Sequence, residues 1–159
     1  MLRMNTENLI WENLGDEIKG SDPFILSWLT DNSSLTKKLK QTFTDFSLNV
    51  LSQTQGKVHD NEIELINTQA DCVIREVELF GNQQAVVFAR SIIPITNDTQ
   101  DLLAIGSKPL GEILFNNPKI VRGQLQITHA DNIWGRRSTF TIGKTQLLVS
   151  EFFLESLYA

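Results

Sequence analysis

Two stretches decide the fold. Asp71-Cys72-Val73-Ile74-Arg75-Glu76-Val77-Glu78-Leu79-Phe80 is followed, after Gly81-Asn82-Gln83, by Gln84-Ala85-Val86-Val87-Phe88-Ala89-Arg90-Ser91-Ile92-Ile93. Both are rich in β-branched and aromatic residues, and the three-residue link suits a hairpin. Pro94 ends the second strand, because it has no N–H to give a ladder. Further on, Val121 to His129, Arg137 to Ile142 and Gln146 to Phe153 read as strands, with Gly143-Lys144-Thr145 linking the last two. Phe46, Leu48 and Val50 alternate with Ser47 and Asn49, the pattern of a half-buried strand. Hairpin-type connections throughout predict a largely antiparallel sheet with helices segregated from it, an α+β fold.

Helices are predicted on either side of the first strands. Asp22-Pro23 opens Phe24-Ile25-Leu26-Ser27-Trp28-Leu29, with Asp22 as N-cap and Pro23 in the first turn. After the polar turn Asp31-Asn32-Ser33-Ser34, a second helix begins at Leu35, with Leu35, Leu39 and Phe43 on one side and Lys37, Lys38 and Lys40 toward water. The pair makes a helical hairpin. Ser107-Lys108-Pro109 starts a short helix through Phe115, stopped at Asn116-Asn117-Pro118. Gln53 to Ala70 is polar, with little periodicity, and reads as the longest loop; Asn97 to Gln100 reads as a turn.

Strand parity carries the chemical signal. Arg75 falls in the row of Val73, Val77 and Leu79, while Glu76 and Glu78 lie in the other. Arg90 shares a row with Val86, Phe88 and Ile92, and Glu151 with Leu147, Val149 and Phe153. An unpaired buried charge costs several kcal/mol, so these groups need partners. One solution is a core salt bridge from Arg75 or Arg90 to Glu151; another is a register that exposes them. The third is a pocket in which both arginines and the carboxylate converge, with surplus positive charge for an anionic ligand. The helix starts at Leu35 and Leu110 add unpaired backbone N–H donors suited to a carboxylate, although every helix has such an end. Trp134-Gly135-Arg136-Arg137 reads as a turn entering a strand, with two solvated arginines.

Composition bounds the function. A chain of 159 residues with 41% hydrophobic and 21% charged content suits one folded domain, spanning 1–159. Fourteen Lys+Arg against nineteen Asp+Glu give a net charge of −5, which argues against a general nucleic-acid binder. The lone Cys72 excludes an internal disulfide, and His59 and His129 are too few and too scattered for a histidine metal site. No apolar run approaches the ~18 residues of a membrane span, and Met1 to Leu14 mixes charged with apolar residues unlike a targeting segment. These features predict a cytoplasmic protein with no metal and no stable membrane insertion; a monomer is the expectation, although composition does not fix the oligomeric state.

Taken together and in order, several blocks resemble the chorismate lyase family: Asp22-Pro23 through Trp28-Leu29, Ser34-Leu35-Thr36-Lys37, Ile74-Arg75-Glu76-Val77, and Ala89-Arg90-Ser91-Ile92-Ile93-Pro94. They continue with Lys108-Pro109-Leu110-Gly111, Trp134-Gly135-Arg136-Arg137-Ser138 and Leu147-Leu148 through Glu151-Phe152-Phe153-Leu154. The resemblance implies a central antiparallel sheet whose internal pocket is covered by short helical flaps. It implies cofactor-independent elimination of pyruvate from chorismate, giving 4-hydroxybenzoate for ubiquinone or plastoquinone synthesis. Product binding then falls on the side chains of Arg75 and Glu151 and on the backbone amides of Leu35 and Leu110. Arg90 would hold the enolpyruvyl carboxylate, and Glu151 would be the acid/base. Leu35 stands where methionine is familiar in the family, a swap a backbone contact tolerates. The competing expectations are a non-catalytic effector-binding domain of the same fold, as in GntR-type regulators, and a purely structural domain.

Overall fold

The structure, a computed structural model, describes residues 5–14 and 22–158. The reading of Met1 to Leu14 therefore lies partly outside the described residues. Eight strands form one sheet: β1 (Glu12–Asn13), β2 (Phe46–Gln55), β3 (Cys72–Gly81), β4 (Gln84–Pro94), β5 (Val121–Arg122), β6 (Gln126–Ala130), β7 (Ile133–Ile142) and β8 (Thr145–Phe153). Their order is β1-β6-β7-β8-β4-β3-β2, with β5 also on β7, and each pairing is antiparallel. The chain builds the meander β2-β3-β4, crosses over, and lays β8 against β4. The α+β expectation holds.

The helices are α1 (Pro23–Leu29), α2 (Leu35–Thr42), α3 (Asp60–Ile66), α4 (Gln100–Leu103), α5 (Leu110–Asn116) and α6 (Glu155–Tyr158). Asp22 caps α1 by accepting from Phe24 N–H, and Ser34 caps α2 by accepting from Lys37 N–H, as the sequence predicts. The apolar sides of α1 and α2 pack Ile25, Trp28, Leu29, Leu35 and Leu39 against Val77, Leu79, Val87 and Phe153 of the sheet. A second cluster seats α4 and α5 on Phe140 and Leu147 through Leu102, Leu110 and Leu114. Burial of each such side chain is worth roughly 1.5–3 kcal/mol, so both helical units are held firmly to one face.

Three sequence expectations are corrected. Gln53 to Ala70 is not a loop: β2 runs on to Gln55, and α3 follows. β2 is an edge strand with a bulge between Val50 and Ser52, so its end carries polar side chains, and α3 buries a glutamate, Glu62, where an apolar residue would have revealed a helix. Asn97–Thr99 is a 3-10 turn that leads directly into α4. The β3–β4 link is a two-residue turn, since Gly81 already pairs with Gln84; Asn82 and Gln83 take φ 49° and 71°.

Next to that turn lies the feature that sets the site. The β3–β4 ladder runs Gly81 to Gln84 and Phe80 to Ala85, then skips Val86 and continues Leu79 to Val87, Val77 to Ala89 and Arg75 to Ser91. This bulge turns Val86 toward the helical face, apart from the row of Phe88, Arg90 and Ile92. In an unbroken ladder Arg75 would stand opposite Arg90.

Candidate active site

On the helical face, a small cavity is lined by Leu48, Arg75, Val77, Ala89, Ser91, Val149 and Glu151 from the sheet, and by Thr36, Pro109, Leu110 and Gly111 from the helices above. Arg75 and Glu151 thus meet in one cavity. The register Val77–Ala89–Glu151 places Glu151 two strands and one same-face step from Arg75, about 12 Å between Cα atoms from ordinary strand spacing and rise. Both side chains line the cavity from those positions.

Arg75 is only 2% exposed and has no carboxylate partner among the described residues. Its Nη1 donates to Gln53 Oε1 at 2.7 Å and to the Gly106 carbonyl at 2.8 Å, and Nη2 to the Lys108 carbonyl at 2.9 Å. These bonds use three of its five N–H donors and pin the loop that starts α5. Burial alone pushes its pKa below the usual guanidinium value. A buried cation with neutral partners and spare donors is a seat for an anion.

Glu151 accepts from Arg136 Nε at 2.9 Å through Oε1, and its Oε2 has no hydrogen bond among the described residues. Arg136 is 1% exposed, and its Nη1 donates to the carbonyls of Trp28 and Asp31, each at 2.9 Å. The same guanidinium therefore fixes the carboxylate and holds the α1–α2 turn over the cavity. Arg136 and Arg137 are not solvated: both are buried, because the strand begins at Ile133, earlier than the sequence reading put it. The missed signal was the row Arg136, Ser138, Phe140. Gly135 allows this packing, since a Cβ there would lie 2.8 Å from the Phe152 ring.

Leu110 borders the cavity as the first residue of α5, and Leu35 precedes the cavity residue Thr36 as the first residue of α2. As first-turn residues, both have backbone N–H groups without an intrahelical acceptor. Lys40 of α2 and Glu112 of α5 join the two helices above the cavity through a 2.7 Å ion pair.

Arg90 is corrected. It lies on the opposite face of the sheet, where Nε and Nη2 form a forked pair with Glu62 of α3 at 2.8 and 3.0 Å and Nη1 meets Glu76 at 3.2 Å. The β3–β4 bulge is the reason: it sets Arg90 opposite Glu76 and gives Arg75 a partner one residue further along. Arg90 therefore cannot contact a ligand held by Arg75 and Glu151, and neither arginine pairs with Glu151. Cys72 also lies on that second face, 5% exposed, and burial pushes its thiol pKa up. Arg122, which the sequence reading passed over, is on the cavity side, as are Gln53 and Ser91. No group of three or more His, Cys, Asp and Glu side chains placed to hold a metal occurs among the described residues.

A sheet covered on one face by short helices, with a buried arginine and a carboxylate lining the cavity beneath them, is the architecture that the family resemblance implies. The model of the chorismate lyase family matches residues 5–159, and the chain belongs to that family. It is 32% identical over 168 residues to a probable chorismate pyruvate-lyase of Pseudoalteromonas atlantica, covering 92% of this chain and 87% of the relative. A protein of the same name from Pasteurella multocida is 36% identical over 136 residues, covering 82% and 80%. One from Pseudomonas aeruginosa is 31% identical over 169 residues, covering 95% and 94%.

Proposed function

We propose that this chain eliminates pyruvate from chorismate to give 4-hydroxybenzoate. Family membership supports the reaction, and one observation carries the site assignment: a cavity with a carboxylate-free, buried Arg75 at one end and the half-occupied carboxylate of Glu151 at the other. In this reading Arg75 holds the ring carboxylate by a planar fork. The Leu35 and Leu110 amides complete that anion seat. Glu151 Oε2 contacts the ring hydroxyl and acts as the acid/base.

The reaction removes the proton from the ring carbon bearing the hydroxyl. That C–H pair becomes a ring double bond while the ether C–O bond to the neighbouring carbon breaks, and the departing enolate takes up a proton to become pyruvate. Aromatisation supplies the driving force, so positioning, proton movement and exclusion of water are the tasks left to the protein. Arg136 holds Glu151 in place while keeping the α1–α2 turn shut over it.

The 4-hydroxybenzoate would serve as the aromatic precursor of a quinone, ubiquinone or plastoquinone. We propose a cytoplasmic monomer acting as one domain over 1–159. That no helix among the described residues is long and apolar enough to cross a membrane, and that one sheet gathers strands from both halves of the chain, is in keeping with this. The direct test is purified protein with chorismate alone, after EDTA treatment. Equal amounts of 4-hydroxybenzoate and pyruvate are expected; no turnover, or turnover that only added metal restores, overturns the reading.

A further inference from the structure

The proposed substrate is a dianion, while the product left in the site is a monoanion. Arg75 can match one carboxylate. With Arg90 committed to Glu62 and Glu76 on the other face, the second lacks its expected partner. The charge of Arg136 is matched by Glu151, and its Nη1 is taken by backbone carbonyls of the α1–α2 turn. Lys38 serves Asp31 and the Ser27 carbonyl, and Lys40 serves Glu112. Arg122 is different: among the described residues it has no carboxylate within ion-pair distance.

Resting on the lyase reading, we propose that Arg122 binds the carboxylate of the enolpyruvyl side chain. β5 sets Arg122 opposite Phe140, and its Nε donates to Ser138 Oγ at 3.1 Å. The guanidinium lies over Phe115 of α5 at 5.3 Å and Phe140 at 5.7 Å, which fixes its plane. With Nε engaged, both terminal nitrogens keep their N–H donors among the described residues. Ser138 pairs with Val149, a wall of the cavity, and Arg136 one same-face step along β7 pairs with Glu151. Arg122 thus stands beside the Glu151 end, off the line from Arg75 to Glu151.

That offset matches the chemistry. The ether oxygen leaves from the ring carbon next to the one that bears the hydroxyl, so a hydroxyl held at Glu151 sends the side chain sideways at that end. The charges also balance: the Glu151–Arg136 pair is neutral, and Arg75 with Arg122 offset the two substrate carboxylates. Once pyruvate departs, 4-hydroxybenzoate needs Arg75 alone. Arg122 is then a substrate-binding residue that separates chorismate from product.

Arg122→Gln and Arg122→Lys test this, each assayed with chorismate and titrated calorimetrically with 4-hydroxybenzoate. Loss of a desolvated charge partner should raise KM for chorismate in Arg122→Gln by about tenfold or more, with 4-hydroxybenzoate affinity within about twofold of wild type. Arg122→Lys should recover part of the loss. A Gln variant with wild-type kcat/KM, or one that weakens substrate and product equally or no longer binds product, overturns the proposal. A wild-type protein that does not turn over chorismate overturns the lyase reading itself, and the proposal with it; an active wild type with an unaffected Gln variant overturns the proposal alone.

Discussion

Arg136 Nε stands 2.9 Å from Glu151 Oε1, and that contact joins the floor of the cavity to its roof, because the other end of the guanidinium holds the Trp28 and Asp31 carbonyls. Removing Arg136 should therefore do two kinds of damage at once. Arg136→Ala strands a largely buried carboxylate and unties the α1–α2 turn, an expected loss of roughly 3–5 kcal/mol. Urea unfolding of the variant checks the size; a change under about 1 kcal/mol, the range of an exposed pair, would show that the contact holds nothing.

Arg75→Ala should weaken 4-hydroxybenzoate binding by roughly 2–5 kcal/mol, since the ligand carboxylate would enter an apolar cavity without its charged partner. Arg75→Lys should rescue poorly, because an ammonium cannot reproduce the planar fork or reach both the Gly106 and Lys108 carbonyls. Calorimetric titration decides it, and unchanged affinity in Arg75→Ala removes Arg75 from the site.

Glu151→Gln keeps the shape and can still accept from Arg136, so its effect should fall on turnover. General acid–base groups contribute about 10²–10⁴-fold, and the loss should appear mainly in kcat. Melting temperature and kcat measured on the same preparation separate chemistry from folding. A folded variant with near wild-type kcat leaves Glu151 a contact residue only.

For Arg90 the opposite pattern is expected. Arg90→Ala takes the forked arginine from the buried Glu62 and one partner from Glu76, and should cost about 3–5 kcal/mol of stability. The folded fraction should keep its KM for chorismate, because the Arg90 side chain is on the far face from the cavity. A raised KM without destabilisation would contradict the geometry.

Lys40 and Glu112 join α2 to α5 across the cavity roof, and both are substantially exposed. Lys40→Ala should change stability by less than about 1 kcal/mol. If the two helices must part for product to leave, the variant releases 4-hydroxybenzoate faster, and added salt brings the wild type toward it. Stopped-flow displacement of bound product measures the rate; equal release from both proteins rules out this latch.

The sequence by itself determined the starts of α1 and α2, because a cap is a local affair: Asp22 and Ser34 need only the N–H groups of the next turn. It also determined that Arg75 shares a row with Val77 and Leu79, and Glu151 with Val149, since parity within a strand follows from the backbone alone. The antiparallel α+β architecture followed from the hairpin links. Which rows of different strands share a face was decided only in the tertiary structure. One skipped residue, Val86, reverses the parity of β4 relative to β3 and carries Arg90 to Glu62 and Glu76, away from Arg75. The burial of Arg136 and the helix around Glu62 were hidden for a related reason. Their partners are carbonyls and guanidinium groups distant along the chain, so local polarity pointed to solvent at positions that contacts between distant segments bury.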